Sequence, residues 1–378
     1  MKTRSANSPI IHCSLFNGIY AGKRVLITGH TGFKGSWLAL WLHELGAKVI
    51  GLALPPNTKP SHFDLIGLKN LVCHVEGDIR DNQAVQHAID IAKPEIVFHL
   101  AAQALVRDSY SDPKTTFDTN IGGTVNVLEA IRHCPTVKAV VVVTSDKCYD
   151  NKEWIWGYRE SDPLGGHDPY SASKGAAEIV SFAYHRSYFD KNGQGPHLGF
   201  ATARAGNVIG GGDWAKDRII PDCVRALTAK KPIIIRNPQA TRPWQHVLDP
   251  LGGYLLLAAR LLENPEKYSG AWNFGPGMSD QVTVAELAER FIKAWGSGTI
   301  KCSKVKDKPT HEAHLLHLCI DKAVTGLKWQ PMLDSLSSID WTVSWYKKMQ
   351  IGQKASDSVS LEQIRKYSQM AMKKGDRT

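Results

Sequence analysis

A tyrosine and a lysine four residues apart have the types and spacing that proton transfer at a hydroxyl group requires. Tyr170 and Lys174 belong to the segment Tyr-Ser-Ala-Ser-Lys, and on a helix such a pair shares one face. A nearby ammonium group favours phenolate, and a phenolate can remove a hydroxyl proton while hydride leaves the same carbon. Because the chain has eleven tyrosines, such a pair can also arise by chance. Its position relative to the predicted strands must decide whether it is catalytic.

A second group of polar residues stands where an apolar segment ends. Residues 138–143 read Lys-Ala-Val-Val-Val-Val, and Ser145, Asp146 and Lys147 follow closely. The ends of strands in doubly wound folds are where ligands bind, and the tyrosine–lysine pair follows this strand after a loop. The hydroxyl, carboxyl and ammonium groups therefore join that pair in one predicted catalytic site.

A glycine-rich turn lies near the start of the chain. Gly29, Gly32 and Gly35 follow the apolar segment 23–28 and precede apolar residues at helical spacing. Glycines let the backbone approach a pyrophosphate, and the helix N-terminus supplies N–H donors and partial positive charge. The turn therefore predicts a dinucleotide site. Its expected cofactor-binding residues are Gly29, Thr31, Gly32, Phe33, Lys34 and Gly35.

Strands and helices are predicted to alternate around these motifs. The predicted strands are 23–28, 48–54, 72–75, 96–101, 138–144 and 199–204, and the predicted helices are 82–92, 115–133 and 169–188. Strands that are apolar on both faces are typical of buried parallel sheets. The pattern predicts an α/β fold, a Rossmann-type doubly wound parallel sheet with a smaller C-terminal substrate-binding α/β lobe.

The regular alternation of predicted strands and helices ends after residue 206, where the loops are longer and the strands shorter. We therefore expect the domains to divide there. The expected divisions are a loose N-terminal extension (1–20), an NAD-binding Rossmann domain (21–206), a mainly substrate-binding lobe (207–345) and a C-terminal tail (346–378).

The motifs together resemble the extended short-chain dehydrogenase/reductase family, in which the glycine turn has the same GxxGxxG spacing. Simple epimerases of that family carry a Ser or Thr at the position of Ser145, and dTDP-glucose dehydratases carry Thr-Asp-Glu. The triplet Ser-Asp-Lys is similar to that of the CDP-glucose 4,6-dehydratases. Residues 29–37, 205–214 and 242–246 resemble the same subfamily, and the resemblance covers roughly residues 20–345.

This resemblance implies an NAD-dependent nucleotide-sugar 4,6-dehydratase with CDP-glucose as substrate. In that reaction the sugar is oxidised at C4, water is lost across C5 and C6, and hydride returns to C6. The product is a 4-keto-6-deoxy sugar of the kind that feeds deoxysugar and O-antigen-type polysaccharide synthesis, and NAD ends as it began.

The resemblance also implies a role for each catalytic residue. Tyr170 takes the 4-hydroxyl proton, Ser145 hydrogen-bonds the same oxygen, and Lys174 holds the phenolate and the nicotinamide ribose. Asp146 is the expected acid for the leaving 6-hydroxyl, and Lys147 is the expected base at C5. A lysine with its usual pKa of about 10.4 is charged at neutral pH, so burial or neighbouring cations must depress it. The alternative is that Lys147 forms only an ion pair with Asp146.

Further residues are assigned by the resemblance to cofactor and substrate. The cofactor contacts are Asp78, Ile79, Leu100, Ala101, Ala102, Gln103 and Thr119, besides Tyr170 and Lys174. The substrate contacts are Gln103, Arg107, Asn207, Arg236, Arg242 and His246. Guanidinium groups suit a diphosphate because they pair with phosphate bidentately. An ordinary ion pair is the alternative for each arginine, and a core position is the alternative for His246 and for its neighbour Trp244.

The end of the second strand lacks one expected feature. An acidic residue usually binds the adenosine ribose there, but residues 52–54 read Leu-Ala-Leu. No arginine stands there to bind a 2′-phosphate either. The sequence therefore favours NAD over NADP, without the usual ribose contact.

Composition limits the remaining possibilities. The net charge is +10, but the basic residues are dispersed and form no reading module, so nucleic acid is not expected as a partner. Seven cysteines without a CxxC pair predict neither a disulfide framework nor a metal site, which suits a cytoplasmic protein. No segment predicts a signal peptide or a membrane span. The helices 115–133 and 169–188 resemble the family's dimerisation pair, so a homodimer or tetramer is expected.

Two other classes compete with the dehydratase. A nucleotide-sugar 4-epimerase would need the tyrosine but not the Asp146–Lys147 pair, and a non-catalytic NAD-binding module would usually lose Tyr170 or Lys174. Both residues and the pair are present, so the sequence favours the dehydratase.

Overall fold

The structure, a computed structural model, describes residues 15–278, 280–302, 315–350 and 356–375. The strands are β1 Arg24–Thr28, β2 Lys48–Ala53, β3 Cys73–Glu76, β4 Ile96–His99, β5 Ala139–Val143, β6 Gly199–Ala205, β7 Val208–Ile209, β8 Ile233–Ile235, β9 Thr241–Arg242, β10 Gln245–His246, β11 Gly270–Phe274, β12 Val282–Thr283 and β13 Ile300–Cys302. The helices are α1 Phe33–Glu44, α2 His62–Leu65, α3 Asn82–Ala92, α4 Val106–Ser111, α5 Pro113–Phe117, α6 Gly123–Arg132, α7 Pro169–Tyr184, α8 Ile219–Thr228, α9 Leu248–Glu263, α10 Pro265–Tyr268, α11 Val284–Trp295, α12 Ser335–Gln350 and α13 Ser356–Gly375.

Within these residues the main sheet has seven parallel strands in the order β11-β6-β5-β4-β1-β2-β3. Every residue of β5 and β6 is buried, as expected for strands covered on both faces. Separate apolar cores on the two faces bury opposite sides of the same strands, for example Val141 on one face and Val140 on the other. The predicted doubly wound α/β fold is confirmed.

The predicted helix 115–133 is continuous but irregular. A π-helical turn, Asp118–Gly122, joins α5 to α6, and a second one, His185–Phe189, extends α7. Each turn shifts the helix face that follows it, which strict 3.6-residue periodicity cannot reveal.

The main sheet extends past the boundary expected at residue 206. Helix α9 packs against β5 and β6, and strand β11, which follows it in the chain, joins the edge of the sheet beside β6. Residues 248–274 thus belong to the Rossmann layers, because the apolar α9 covers one face of the sheet. The smaller lobe is formed around α8, α11 and the paired short strands β8–β13 and β9–β12.

Both chain ends extend the packed part of the molecule further than expected. Tyr20 is buried and donates a hydrogen bond to the backbone oxygen of Leu255, so the packed chain begins before residue 21. The expected tail contains α13, which packs against α1 and α12 and buries Ile364 and Tyr367. Residues 1–14, 351–355 and 376–378 lie outside the described residues.

A buried ion pair connects the carboxyl ends of β5 and β6 with helix α7. Arg204 at the end of β6 and Glu178 on α7 are almost fully buried, with 2.8 Å between Nη2 and Oε2. Thr144 donates to Glu178 Oε1 and Thr202 donates to Oε2. Arg204 also donates to the hydroxyl of Tyr149 at 2.7 Å. The pair therefore links the ends of β5 and β6 to the helix that carries Tyr170 and Lys174.

We expect Glu178→Ala to lower the free energy of unfolding by about 3–5 kcal/mol, because it leaves the Arg204 charge buried without its partner. Replacing both residues, as Glu178→Leu with Arg204→Met, should cost less than the single change. Glu266→Ala, which removes an exposed pair with Lys191, is the control and should cost about 1 kcal/mol or less. Urea unfolding followed by circular dichroism measures all three, and a single change as mild as the control would contradict the expectation.

Candidate functional site

The glycine turn has the geometry of a pyrophosphate cradle. Gly29 adopts the left-handed region (φ +80°), and a Cβ there would lie 2.7 Å from the backbone nitrogen of Ala101. A Cβ on Gly35 would lie 2.1 Å from the backbone oxygen of Gly29, so α1 packs directly on the turn. No side chain caps the first turn of α1, and its N–H donors remain available to an anion. These residues fit a dinucleotide cofactor.

The loop after β4 is held beside the turn by a network of hydrogen bonds. Thr28 Oγ1 accepts from the backbone N–H of Ala101 at 3.2 Å. Asn120 accepts from the Gln103 N–H at 2.8 Å and donates to Ser173 Oγ on α7 at 2.8 Å. Asn120 thus joins the predicted cofactor loop, Leu100 to Gln103, to the catalytic helix, and its neighbour Thr119 is half-buried on the same turn.

A histidine pair occupies the region near the end of β2, where the usual acidic residue is missing. His30 Nε2 and His74 Nδ1 are 2.7 Å apart, and the His30 ring covers Gly51 so closely that a Cβ would overlap it. Burial, with the charge of His74, lowers the pKa of His30 to about 4, so its ring is neutral. After β3, the Asp78 carboxylate is engaged by Arg80 at 2.6 Å.

Residues 145–147 form a hydrogen-bonded group at the end of β5. Ser145 Oγ donates to Asp146 Oδ1 at 2.8 Å, and Lys147 Nζ lies 3.2 Å from the same oxygen. Burial opposes the charge of Lys147, but the carboxylate of Asp146 and the phenol of Tyr170 outweigh it and raise the lysine pKa. The pKa of Lys147 is therefore not depressed, as a lysine base would require, and its side chain is an ammonium ion beside Asp146.

Tyr170 joins this group from the first turn of α7. Burial raises the pKa of its phenol, while the charge of Lys147 and the hydroxyl of Ser145 act in the opposite direction. The cation that acts most strongly on the phenol is Lys147. Lys174, one turn further along α7, is close to Glu178, and its effect on the tyrosine pKa stays a prediction.

Two more lysines lie at the same edge of the sheet. Burial lowers the pKa of Lys174 to about 8, and Glu178, one helical turn further on, works against that shift. Burial and the charge of Arg218 lower the pKa of Lys34 to about 7, and Asp146 opposes this. Lys34 thus projects from the glycine turn towards the catalytic carboxylate.

Two of the predicted substrate arginines converge on one carboxylate. Arg107 and Arg236 both pair with Asp217 Oδ1, at 3.4 and 3.2 Å. The charge of Arg242 acts on Lys147, so this arginine is near the catalytic group. Asn207 is half-buried just after β6, and its backbone oxygen accepts from Gln245.

His246 does not face the cleft. It is fully buried, and its ring packs edge-on against Trp37 and Trp341 at 6.2 and 5.7 Å between ring centres. Burial lowers its pKa to about 3. Its place is the core because β10 pairs with β7 inside the molecule, and Trp244 is buried there too.

Sequence reasoning missed four residues that the structure brings to this edge. They are Glu178, Arg204, Asp217 and Arg218. Only Glu178 gives a signal, because it stands four residues after Lys174 and shares its helix face. The other three become neighbours only through the fold.

The glycine turn, the buried tyrosine and the lysine on one helix agree with a comparison against known families. A model of the NAD dependent epimerase/dehydratase family matches residues 25–275. The chain belongs to this family. The family is NAD-dependent, and the predicted cofactor is thereby confirmed.

Curated relatives of the chain act on nucleotide sugars. It is 50% identical to the CDP-glucose 4,6-dehydratase of Salmonella typhimurium over 329 residues, and this alignment covers 87% of this chain and 91% of that protein. It is 27% identical to the CDP-paratose 2-epimerase of Salmonella typhi, over 85% of this chain and 99% of that protein. The predicted resemblance is confirmed.

Solved structures share the fold. A UDP-glucose 4-epimerase from Thermotoga maritima superposes with a TM-score of 0.72 at 22% identity, over 86% of this chain and 99% of that one. A dTDP-glucose 4,6-dehydratase from Bacillus anthracis, in complex with NAD, superposes with a TM-score of 0.70 at 23% identity, over 86% and 96%. Among the described residues, no helix has the length and apolar character that crossing a bilayer requires.

Gly35→Ala should weaken NAD binding by about tenfold or more, because the displaced helix N-terminus loses hydrogen bonds to a charged group. Gly122→Ala is the matched control, since an added Cβ there meets no atom within 4 Å. Titration calorimetry with NAD measures both variants. Binding of NAD to Gly35→Ala with unchanged affinity would show that the turn is not the cradle.

Proposed function

We propose that this protein converts CDP-glucose to CDP-4-dehydro-6-deoxyglucose and water through bound NAD. The 50% identity to a CDP-glucose 4,6-dehydratase over 91% of that protein supports the substrate. The cytoplasmic setting, the homodimer or tetramer and the role in deoxysugar synthesis stay predictions. The observation that carries the reaction type is the Asp146–Lys147 pair, 3.2 Å apart beside Tyr170, which a simple 4-epimerase would not need.

Bound NAD supplies the hydride acceptor for C4 and the hydride donor for C6. The residues proposed to hold it are the glycine turn, the loop after β4 and Lys174. Residues 100–103 are fixed to the catalytic helix through Asn120, so cofactor and catalytic groups are held on one framework. The buried surroundings exclude water and strengthen the electrostatic interactions between the groups.

The oxidation half of the reaction is assigned to Tyr170 and its two neighbours. Tyr170 acts in its ionised form, and this phenolate accepts the proton of the 4-hydroxyl while Ser145 hydrogen-bonds the same sugar oxygen. The ammonium of Lys147 stabilises the phenolate, since its charge lowers the tyrosine pKa.

The elimination is assigned to Asp146 and Lys147 with the roles exchanged from those expected. Because Lys147 carries the proton, the Asp146 carboxylate accepts the C5 proton, and the lysine ammonium donates its proton to the leaving 6-hydroxyl. The C6–O bond breaks, water leaves, and a C5–C6 double bond forms. After hydride reaches C6, protonated Asp146 returns a proton to C5, and Lys147 takes a proton from Tyr170.

The reaction class is tested with CDP-glucose deuterated at C4. We expect the alkaline absorbance of the 4-ketone, deuterium at C6 of the product and no net consumption of NAD. Incubation with dTDP-, GDP- and UDP-glucose tests the nucleotide. Release of one reduced cofactor for each sugar would identify a simple dehydrogenase, and a C4 epimer would identify an epimerase.

Lys147→Met should slow dehydration by about 10²–10⁴-fold, because the elimination loses its proton donor, and it should slow C4 oxidation by less, because that step loses only a cation near the phenolate. The variant is then expected to accumulate reduced cofactor and a 4-keto sugar that keeps its 6-hydroxyl. Lys147→Arg is the control, since it keeps the charge but cannot release a proton. Single-turnover absorbance and mass analysis of the sugar make the measurement, and full dehydration by Lys147→Met would leave Lys147 only an ion-pair partner.

A further inference from the structure

A small pocket opens beside the catalytic carboxylate. Its walls include Gly206 after β6, Pro243, Gly275 after β11, and His317 with Leu318. Gly206 and Gly275 follow neighbouring parallel strands, so the pocket lies at the carboxyl edge of the sheet. Ligands bind at that edge in doubly wound folds.

The Asp146 carboxylate lies next to Gly206, one of the residues that line this pocket. Ser145 and Lys147 both contact Oδ1. Oδ2 lies next to the pocket wall, because a Cβ on Gly206 would be 3.2 Å from it. One oxygen of the catalytic carboxylate therefore lies beside the wall of the pocket.

His317 forms another wall and has an unmet hydrogen-bonding capacity. The residue is 5% exposed, and within the described ranges its buried Nε2 has no hydrogen-bond partner. Burial lowers its pKa, Asp146 opposes that shift and Arg242 adds to it, so the ring is neutral and near both charged groups. A neutral imidazole has one N–H donor and one acceptor nitrogen.

The backbone around His317 is held in place from the catalytic side of the molecule. The N–H of Tyr158 donates to the His317 oxygen at 2.8 Å, and the N–H of Cys319 donates to the Tyr158 oxygen at 2.9 Å. Tyr158 in turn stacks on Tyr149, with 5.1 Å between ring centres. The imidazole position is thus set by the same segment that follows the Ser-Asp-Lys triplet.

We propose that His317 is a further substrate-contacting residue, whose ring hydrogen-bonds a hexose hydroxyl that enters the small pocket beside Asp146. A hydroxyl can serve either nitrogen of the neutral ring, because it both donates and accepts. A buried polar nitrogen without a partner is costly, and a ligand hydroxyl removes that cost only when it is bound. The residue therefore favours the sugar-bearing nucleotide over the nucleotide alone. This assignment rests on the proposed function.

The test compares CDP with CDP-glucose as ligands of the NAD-loaded protein. His317→Leu removes both nitrogens at similar volume, and His317→Gln keeps a donor and an acceptor. We expect His317→Leu to weaken CDP-glucose binding by about tenfold, which is the effect of one lost hydrogen bond to a buried group, and to leave CDP binding unchanged. His317→Gln should recover most of the loss, and His87→Leu, on the exposed face of α3, should change neither ligand.

Equal weakening of CDP and CDP-glucose would overturn the proposal, because the ring would then act on the nucleotide or on folding. Unchanged binding of both ligands would overturn it as well. If the unmodified protein binds CDP-glucose but forms no 4-ketone, the proposed function fails, and the binding comparison still decides the role of His317.

Discussion

The buried ion pair between Glu178 and Arg204 is the constraint on which the catalytic edge of the sheet depends. Glu178 lies one helical turn after Lys174, and its other oxygen accepts from Thr144, directly before the Ser-Asp-Lys triplet. One carboxylate thus fixes the helix and the strand end that together carry the catalytic groups. Two charges with almost no exposure are stable only as a complete hydrogen-bonded pair, so neither segment can shift alone.

Lys147 connects the two halves of the proposed reaction. Its charge acts on the phenol of Tyr170, and its ammonium contacts the carboxylate of Asp146. In the proposed reaction the proton of the 4-hydroxyl goes to Tyr170, and the proton for the 6-hydroxyl comes from Lys147. Both transfers therefore depend on the same lysine. This arrangement explains why the lysine keeps its proton before the reaction: a neutral amine between a phenol and a carboxylate would leave that carboxylate without its charge partner.

Much of the fold and the composition of the catalytic group could be predicted from the sequence, because they depend on local signals. The apolar segments predict the strands, and the placement of the glycine turn between a strand and a helix predicts the cofactor site. The pKa of Lys147 could not be predicted, since it depends on neighbours placed by tertiary contacts. His317 gives no sequence signal because its position depends on hydrogen bonds to Tyr158, 159 residues earlier in the chain. His246 lies in the core, which was the alternative that the sequence left open, because the short strand β10 pairs with β7 inside the molecule and such a strand gives no clear signal in sequence.

The Ser-Asp-Lys triplet has a lysine at the position where the dTDP-glucose dehydratases carry a glutamate, and the charges of the two pairs explain how both can serve. An aspartate–glutamate pair that shares one proton has a net charge of −1, whereas the Asp146–Lys147 pair holds one transferable proton at a net charge of zero. Both pairs can accept one proton at C5 and release one to the 6-hydroxyl. The difference is electrostatic, and the surroundings are already basic, since Lys34, Lys174 and Arg242 lie nearby. The exchange of roles that we propose for the pair is therefore consistent with the charge of the site, and it requires no change in the number of protons moved.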